Sequence, residues 1–388
     1  MFKIRTYNQL SVKGLNRFDR EHYEVASELP HPDAFLLRSH DLHQEAFPET
    51  LKAIARAGAG VNNIPLERCN EQGIVVFNAP GANANAVKEL VLAGMLLGSR
   101  DIYQGMQFVD GLAPRDDLDA YLEKEKKRFA GTELMGKTLG VVGLGNIGSL
   151  VANMGLALGM KVVGYDPAIS VEAAWRLSSD VQKMDNLSSV FAHADYVSLH
   201  LPVLESTRGL IGEGMLASAR DGLVLLNFAR GEIVDLPAVL RGLDAGRLHR
   251  YVTDFPSSET LGHPKVLHTP HIGASTGEAE DNCAVMAADQ LMDFLENGNI
   301  RNSVNFPAIA LPRSTPVRLT ISNRNVPRVL NQITAVIAEH EINIVDMLNQ
   351  SREAVAYNII DLAECPGEDS LAALDAIDEV INLRLLGA

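Results

Sequence analysis

The sequence has few of the residues that cross-link small proteins or hold structural metals. Only three of its 388 residues are cysteines, and none belongs to a CxxC pair. The pattern therefore indicates neither a disulfide framework nor a zinc site, and we expect buried free thiols. Three neighbouring histidines lack flanking ligands at a metal spacing, so we predict no metal site. The cysteines are Cys69, Cys283 and Cys365, and the histidines are His263, His268 and His271.

Positive charge is also scarce. The chain has 34 lysines and arginines against 49 aspartates and glutamates, which gives a formal net charge of -15. This balance disfavours nonspecific nucleic-acid binding, because neutralising phosphates requires clustered cations. Any anionic ligand must instead meet a local positive patch.

Long apolar runs are missing as well. Although 46% of the residues are hydrophobic, no uninterrupted stretch approaches the roughly 20 residues of a membrane span, so we predict no contact with a membrane. The start of the chain, MFKIRTYNQLSVKGLNRF, lacks the apolar core of a signal peptide, and we therefore expect a cytoplasmic protein. The length predicts two or three domains.

The order of apolar segments predicts three domains, of the α/β and α+β classes. Short apolar runs with turn signals fill residues 1–97, and this interleaving predicts βα units. Residues 98–282 begin with a charged bridge and then alternate strands with helices, which indicates a Rossmann-type doubly wound parallel sheet. Prolines punctuate an extended linker over residues 307–315. Residues 316–388 follow the order strand, helix, strand, strand, helix, strand of a ferredoxin-like domain.

A glycine-rich turn lies near the start of the second domain. Gly143, Gly145 and Gly148 form GxGxxG between an apolar strand and a helix. In that context the glycines suit a tight turn, the close approach of a pyrophosphate, and packing of the helix on the strand. The next predicted strand ends at Asp166, where a carboxylate accepts hydrogen bonds from ribose hydroxyls. It would also repel a 2′-phosphate, and Pro167 rather than an arginine follows, so we predict NAD rather than NADP.

Three polar residues stand at the ends of later predicted strands, where the ligands of such sheets bind. Arg230 suits a substrate carboxylate and carbonyl, because a guanidinium group binds two oxygens at once. His271 suits proton transfer near neutral pH, and Glu259 is the carboxylate that would orient it. Taken singly, each residue also fits a solvated strand end or loop. Their order after a cofactor turn favours the reduction of a 2-keto acid by hydride transfer, or the reverse oxidation of the 2-hydroxy acid.

Together these segments resemble a known family. GLGNIG with Asp166, LHLP, NFARGEIVD and PHIGAST are similar to the motifs of the D-isomer-specific 2-hydroxyacid dehydrogenase family, and the resemblance covers nearly the entire chain. It implies that Arg230 binds the substrate, that His271 is the proton donor, and that Glu259 pairs with His271. The glutamate loop departs from the family, since the usual DVFxxEP is DFPSSET here.

The same resemblance implies a split first domain and further cofactor contacts. The substrate-binding domain, flavodoxin-like in fold, would comprise residues 1–97 and 283–306. NAD would contact the residues after the glycine turn, the ends of the following strands and the loop after His271, with Asp254 facing the nicotinamide amide. These implied contacts are Asn146, Ile147, Leu201, Phe228, Ala229, Asp254, Gly273 and Ala274.

Segments of the first domain are similar to the branch of the family that oxidises 3-phospho-D-glycerate in serine biosynthesis. They are RSH, AGAGVNNIP and FNAPGANANAVKEL. The loop GAGVNN is rich in backbone donors for a carboxylate, and Arg38 and Lys126 are cations for the phosphate, the latter from a neighbouring subunit. For Lys126, in EKEKKR, a solvated helix face is the alternative. The implied substrate-binding residues are Arg38, Ser39, Gly60, Val61, Asn62 and Lys126.

The last domain resembles an ACT domain, a small effector-binding and dimerising module. Asn323, Asn325 and Asn343 match effector-binding positions, which implies an amino-acid effector such as serine and a homodimer or homotetramer. Arg328 stands where a glycine is expected, and its long side chain would block or reshape the effector pocket.

Two alternatives stay open from the sequence. A glyoxylate or hydroxypyruvate reductase of the same family would lack the phosphate-holding cations and usually the ACT domain. A non-catalytic, NAD-sensing protein of the corepressor type would keep the fold and use NAD to control association.

Overall fold

A computed structural model describes residues 1–387, and the chain divides by compactness into two units. One unit comprises residues 1–83 together with the chain from Gly277 onward, and the other comprises Ala84–Thr276. The domain boundaries predicted at 97/98 and 282/283 therefore differ from those in the structure. We call the first the split unit and the second the central unit.

The split unit contains a five-stranded parallel sheet. Its strands are β1 (Phe2–Thr6), β2 (Tyr23–Ala26), β3 (Ala34–Leu37), β4 (Ala53–Arg56) and β5 (Val75–Phe77). They lie in the order β2-β1-β3-β4-β5, which is the flavodoxin-like order. Strand β3 is buried along its whole length, as its apolar sequence AFLL predicts for a parallel sheet covered on both faces.

The central unit contains a seven-stranded parallel sheet. Its strands are β6 (Thr138–Val142), β7 (Lys161–Tyr165), β8 (Gln182–Lys183), β9 (Tyr196–Leu199), β10 (Leu223–Asn227), β11 (Leu248–Thr253) and β12 (Val266–His268). They lie in the order β12-β11-β10-β9-β6-β7-β8. The order in which successive strands are added to the sheet reverses between β6 and β9, and a Rossmann-type sheet binds its ligand at this point. The predicted doubly wound sheet is confirmed.

Helices cover both sheets, and the longest is also the one that follows the central unit. Within residues 1–387 no helix is both long and apolar enough to cross a membrane. The helices are α1 (Val12–Leu15), α2 (Leu66–Glu71), α3 (Ala84–Ser99), α4 (Ile102–Asp110), α5 (Leu118–Glu125), α6 (Asn146–Ala157), α7 (Val171–Arg176), α8 (Leu187–His193), α9 (Glu213–Ala217), α10 (Leu236–Asp244), α11 (Gly277–Asn297), α12 (Val329–Glu339) and α13 (Glu368–Asp375).

Helix α3 explains why the central unit starts earlier than predicted. A Cβ at Gly94 would lie 2.8 Å from the Phe228 ring, and a Cβ at Gly98 would lie 2.9 Å from the Val224 side chain. Only glycines allow the helix to pack so closely on the seven-stranded sheet. Residues 84–97, which the sequence places in the substrate-binding domain, therefore belong to the central unit.

The C-terminal part of the split unit is an antiparallel four-stranded sheet with two helices. Its strands are β13 (Val317–Arg324), β14 (Ile344–Arg352), β15 (Val355–Leu362) and β16 (Val380–Leu386). They lie in the order β14-β15-β13-β16, and α12 and α13 pack on the sheet through a shared apolar core. This arrangement confirms the predicted ferredoxin-like order of elements. We call it the C-terminal domain.

The predicted linker over residues 307–315 is not a free tether. Ile309, which lies in this segment, exchanges two backbone hydrogen bonds with Ile300 before it. Next to this segment, Tyr357 of β15 packs edge-on against Phe306, with ring centroids 6.1 Å apart. Both side chains belong to the core that the five-stranded sheet and α11 also share. The C-terminal domain is thus packed against the rest of the split unit, which the sequence did not predict.

Two buried arginines of the C-terminal sheet reach the end of α11. Arg318 makes two hydrogen bonds to Asp361, at 2.6 and 2.9 Å, and both side chains are fully buried. It also donates to the Asn297 carbonyl oxygen, while Arg384 donates to that of Leu295, each at 2.9 Å. Burial favours the neutral acid, but the hydrogen bonds from Arg318 hold the pKa of Asp361 below its ordinary value. The two cations satisfy carbonyl groups that a helix C-terminus leaves unpaired.

The cysteines follow the prediction in part. Cys69 and Cys283 are buried free thiols. Cys365 is exposed, because it lies in the loop between β15 and α13 rather than in a core. The expectation of three buried thiols is therefore wrong at one position.

Candidate active site

The glycine turn has the shape that a dinucleotide requires. Gly143 has a φ of +87°, and a Cβ there would lie 2.4 Å from the His200 carbonyl oxygen. A Cβ at Gly148 would lie 1.8 Å from the Gly143 carbonyl oxygen, so the helix start packs directly on the turn. Gly145, the residue before α6, has open space where its side chain would be. A pyrophosphate can therefore approach the backbone and the N-terminus of α6.

Asp166 fixes the turn from the end of β7. Its carboxylate accepts hydrogen bonds from the backbone N–H groups of Leu144, at 2.8 Å, and Ala168, at 2.9 Å. Each oxygen keeps a lone pair for a further donor such as a ribose hydroxyl. At the other side of the turn, Asn146 accepts a hydrogen bond from Arg176, at 2.9 Å. The sequence missed Arg176 because it is 30 residues away in the chain.

His200 has a structural role beside this turn and does not transfer protons. Burial lowers its pKa to about 3, so the imidazole is neutral at physiological pH. One ring nitrogen lies 2.9 Å from the Ser198 hydroxyl oxygen, and the other, Nδ1, is buried with no hydrogen-bond partner in the described residues. Ile147 and Leu201, two implied cofactor contacts, are partly buried against the cores on either side of the sheet.

Asn227 shapes the turn that carries Arg230. It is fully buried at the end of β10, accepts a hydrogen bond from the Ala229 N–H, at 3.2 Å, and donates to the Arg230 carbonyl oxygen, at 2.9 Å. Phe228 points inward and is 7% exposed. The Arg230 side chain is exposed, and its only hydrogen bond in the described part of the chain is to the Ala229 carbonyl oxygen, at 2.7 Å. Its remaining donors are free for a ligand.

Asp254 holds the segment that carries His271. Its carboxylate is 1% exposed and accepts three hydrogen bonds: from the Thr269 hydroxyl at 2.6 Å, and from the backbone N–H groups of Ile272 at 2.9 Å and Gly273 at 2.7 Å. Ala274 follows directly and is half-buried. Three of the four lone-pair positions of the Asp254 carboxylate are therefore used within the protein. At most the fourth is left for the amide group of nicotinamide, which the sequence predicts Asp254 to face.

His271 is exposed and has an unusual backbone. Its φ is +56°, in the left-handed region that few non-glycine residues occupy, and such strain is often found at functional sites. Its ring lies against Phe255, with centroids 4.9 Å apart. Glu259 is exposed in a turn closed by Ser257 and Thr260. Among residues 1–387 no hydrogen bond or ion pair joins Glu259 to His271, so the implied pair is not formed in this structure.

The split unit brings two of its predicted substrate-binding segments together. Arg56, which the sequence missed, donates from Nε to the Arg38 carbonyl oxygen, at 2.9 Å, and from Nη1 to the Gly60 carbonyl oxygen. It thereby ties RSH to the loop GAGVNN. The Arg38 guanidinium forms an ion pair with Glu280, in the first turn of α11, at 2.7 Å.

The other predicted residues of these segments differ in their surroundings. Ser39 is exposed and donates its N–H to the Asn8 side chain, at 3.0 Å. Val61 packs partly into the core below the loop, whereas Asn62 is exposed.

Lys126 lies in the central unit, in the 3-10 turn after α5. Its side chain is 62% exposed and pairs with Glu123 three residues earlier. Within this chain the residue therefore behaves as part of a solvated charged helix face, which was the alternative to a phosphate ligand.

The residues predicted to bind an effector differ in their exposure to solvent. Asn323 is buried in β13, where it accepts a hydrogen bond from Asn358 at 2.8 Å. Asn325 donates to a backbone carbonyl of the β14–β15 turn, and Asn343 is exposed. Arg328 has a φ of +78°, the left-handed conformation that favours glycine. The backbone thus keeps the expected glycine geometry while the side chain is an exposed arginine, and effector binding stays a prediction.

The seven-stranded sheet, the glycine turn and its carboxylate define a dinucleotide-binding α/β protein of the dehydrogenase type. Residues 92–273 match the family described as D-isomer specific 2-hydroxyacid dehydrogenase, NAD binding domain. D-3-phosphoglycerate dehydrogenase of Haemophilus influenzae is 32% identical over 355 residues, which cover 88% of this chain and 82% of that protein. The chain belongs to the D-isomer-specific 2-hydroxyacid dehydrogenase family, and its central unit contains the NAD-binding domain.

Other relatives extend the comparison. D-3-phosphoglycerate dehydrogenase of Archaeoglobus fulgidus is 36% identical over 313 residues, covering 78% of this chain and 56% of that protein. The chain spans little more than half the length of this and two further relatives of that name. The crystal structure of NAD+-bound 3-phosphoglycerate dehydrogenase of Entamoeba histolytica has a TM-score of 0.60 and 29% identity, and covers 79% of this chain and 99% of its own.

Proposed function

We propose that the protein oxidises 3-phospho-D-glycerate to 3-phosphohydroxypyruvate with NAD, as an enzyme of serine biosynthesis. The observation that carries the proposal is the presentation of Arg230 and His271 at one edge of the seven-stranded sheet. Buried partners hold the backbone at Arg230 and directly after His271, while the side chains of these two residues are exposed. The names of the relatives supply the substrate.

In this reaction Arg230 anchors the substrate. Its guanidinium donates to the carboxylate and to the oxygen on C2, and so orients the C2–H bond. When bound on the glycine turn, NAD+ would supply the nicotinamide ring that serves as hydride acceptor for C2. As C2 becomes a carbonyl carbon, the imidazole of His271 accepts the hydroxyl proton, and in the reverse direction it returns that proton to the carbonyl oxygen.

The roles of the remaining residues follow from their chemistry. A carboxylate at Glu259 would stabilise the protonated imidazole of His271 once the two side chains are in contact. Arg38 would bind the phosphate group, and Lys126 would join it from a neighbouring subunit of a homodimer or homotetramer. Gly60, Val61 and the loop around them would offer backbone donors to the substrate.

Steady-state assays test the proposal. We expect NADH oxidation with 3-phosphohydroxypyruvate at a kcat/KM about tenfold or more above that with hydroxypyruvate, because a phosphate adds charge-assisted hydrogen bonds. Equal values for the two substrates would contradict the phosphate assignment and favour a hydroxypyruvate reductase. No oxidation with either would favour the NAD-sensing alternative.

The Arg230→Gln variant tests the anchor itself. We expect kcat/KM to fall roughly 10³-fold while the Kd for NADH, measured by fluorescence titration, stays the same, because the side chain contacts the substrate and not the cofactor. Arg241→Gln is the matched control, since Arg241 is an exposed arginine on α10 that faces Glu213 at 3.6 Å. Unchanged turnover in the Arg230 variant would overturn the assignment.

A further inference from the structure

Arg38, the residue predicted to bind the substrate phosphate, is already paired with a carboxylate. The guanidinium of Arg38 lies 2.7 Å from the carboxylate of Glu280, and the two side chains are 41% and 43% exposed. The residues are 242 positions apart in the chain, and both belong to the split unit. A substrate phosphate that binds Arg38 must therefore compete with this carboxylate.

The charges around this pair are few and close together. Burial raises the pKa of the Cys283 thiol, and Arg38 and Arg56 lower it while Glu280 raises it further, so all three charges lie around one buried side chain. Arg56 is committed to two backbone carbonyl groups. Among the described residues, Glu280 is the one carboxylate that forms an ion pair with Arg38.

We propose that Glu280 is a displaceable counterion that sets the affinity of the site for the phosphate group of the substrate. In the free protein it orients the Arg38 side chain, and in the complex its negative charge opposes a phosphate dianion. The inference rests on the proposed function, because it assumes that Arg38 binds the phosphate. Glu280 is thus a specificity-determining residue that weakens the preference for phosphorylated over unphosphorylated 2-hydroxy acids.

The expected size of the effect follows from the exposure of the pair. In a water-like dielectric, a single charge opposite a dianion at ~6 Å changes affinity by about tenfold. The repulsion acts on the bound substrate and on the transition state alike, so it changes KM and leaves kcat nearly constant. A ligand without a phosphate does not engage Arg38 in this way and is affected much less.

The experiment compares Glu280→Gln with Asp281→Asn in the full-length protein. Both changes remove one negative charge from the first turns of α11, but Asp281 pairs with Lys13, at 2.6 Å, and accepts a hydrogen bond from Ser11. We expect Glu280→Gln to lower KM for 3-phosphohydroxypyruvate about tenfold, with kcat and the KM for hydroxypyruvate unchanged. Asp281→Asn should leave both KM values as in the wild type.

A double-mutant cycle ties the effect to Arg38. In an Arg38→Gln background, Glu280→Gln should no longer lower KM for the phosphorylated substrate, because without Arg38 the phosphate is not held beside Glu280 and no longer meets its charge. An equal gain in both backgrounds would overturn the inference, because it would show a nonspecific effect of charge. An equal gain from Asp281→Asn would overturn it in the same way.

The failure of this inference is distinct from the failure of the proposed function. If the wild type prefers the phosphorylated substrate and Glu280→Gln leaves its KM unchanged, the proposed function stands and Glu280 is only a surface ion pair. If neither protein turns over 3-phosphohydroxypyruvate, the proposed function falls and the inference falls with it.

Discussion

Two sets of backbone groups, one beside the site in the central unit and one at the end of α11 in the split unit, are held by side chains of opposite charge. In the central unit the clamps are carboxylates: Asp254 accepts N–H groups of the His271 segment, and Asp166 accepts those of the glycine turn. In the split unit they are guanidinium groups, since Arg318 and Arg384 donate to carbonyl oxygens at the end of α11.

The contrast reflects which backbone groups each place leaves unpaired. Turns at the edge of a parallel sheet offer N–H groups, and a helix C-terminus offers carbonyl groups. The carboxylates each fix a single loop beside the site, whereas the arginines join an entire domain to a helix. Loss of a carboxylate should therefore affect activity first, and loss of an arginine contact should affect stability first.

The ion pair of Arg318 and Asp361 gives the strongest test of this contrast. We expect Asp361→Asn to lower the free energy of unfolding of the split unit by about 3–5 kcal/mol, because it leaves a buried guanidinium without its counterion. Urea unfolding followed by circular dichroism measures this change. The double variant Arg318→Met/Asp361→Leu, which replaces both charges with apolar side chains, should recover most of the lost free energy of unfolding. A cost below about 1 kcal/mol for Asp361→Asn would show that the domain does not depend on the pair.

On the other side of the comparison, Asp254→Asn should impair activity more than stability. An amide cannot accept from both backbone N–H groups without turning its own NH₂ group towards one of them. We expect kcat to fall about 30-fold, equivalent to ~2 kcal/mol, with the Kd for NADH changed little. Asp244→Asn, at an exposed acid near His263, serves as the control. If the free energy of unfolding falls by more than the ~2 kcal/mol that corresponds to the loss in kcat, the contrast between the two units is wrong.

The partly buried His200 adds a test of the central unit through the pH dependence of its stability. His200 has a pKa of about 3 in the folded protein, against 6.5 when exposed. As pH falls, the unfolded chain binds the proton first, so His200 lowers stability between pH 6.5 and 3 and has no effect above that range. We expect up to ~1.4 kcal/mol per pH unit in this window. Urea unfolding of wild type and His200→Asn at pH 7.5 and 5.0 should give a smaller pH dependence for the variant, and equal dependences would contradict this role.

The smallest expected effect concerns the second carboxylate clamp. Asp166→Ala should reduce the preference for NADH over NADPH roughly fivefold, because it removes a charge that repels a 2′-phosphate and a ligand of the ribose. Fluorescence titration with both cofactors measures the ratio. If the ratio does not change, the discriminating group lies elsewhere, and Arg176 beside Asn146 is the next residue to replace.

Local patterns predicted much of this molecule. The glycine turn, its carboxylate and the βαββαβ order are readable because strand and helix periodicity and turn chemistry act over a few residues. Arg230 and His271 were chosen from their places at the ends of predicted strands and from their chemistry, and the family resemblance then implied the same roles. No standalone signal marks Asn227 or Arg56, since a polar residue at a strand end is as often solvated as it is a hydrogen-bonding partner of a loop.

Long-range packing was not predictable in the same way. The sequence suggested a proline-rich linker over residues 307–315, but burial of Tyr357 and Phe306 in one core fixes that segment in place. The pairing of Arg38 with Glu280 joins the two ends of a split unit. Such contacts depend on how helices and strands pack together after they have formed. No sequence pattern around Arg38 or Glu280 indicates that the two residues pair.

Helix α11 is a rod embedded along its length, because buried residues from Ala279 to Leu295 line one of its faces and pack it on α1 and the five-stranded sheet. Its 21 residues span roughly 31 Å at 1.5 Å per residue, with the arginine caps at its end and Glu280 near its start. The arginine caps and the counterion of Arg38 therefore lie on one rigid element, roughly 22–26 Å apart along its axis.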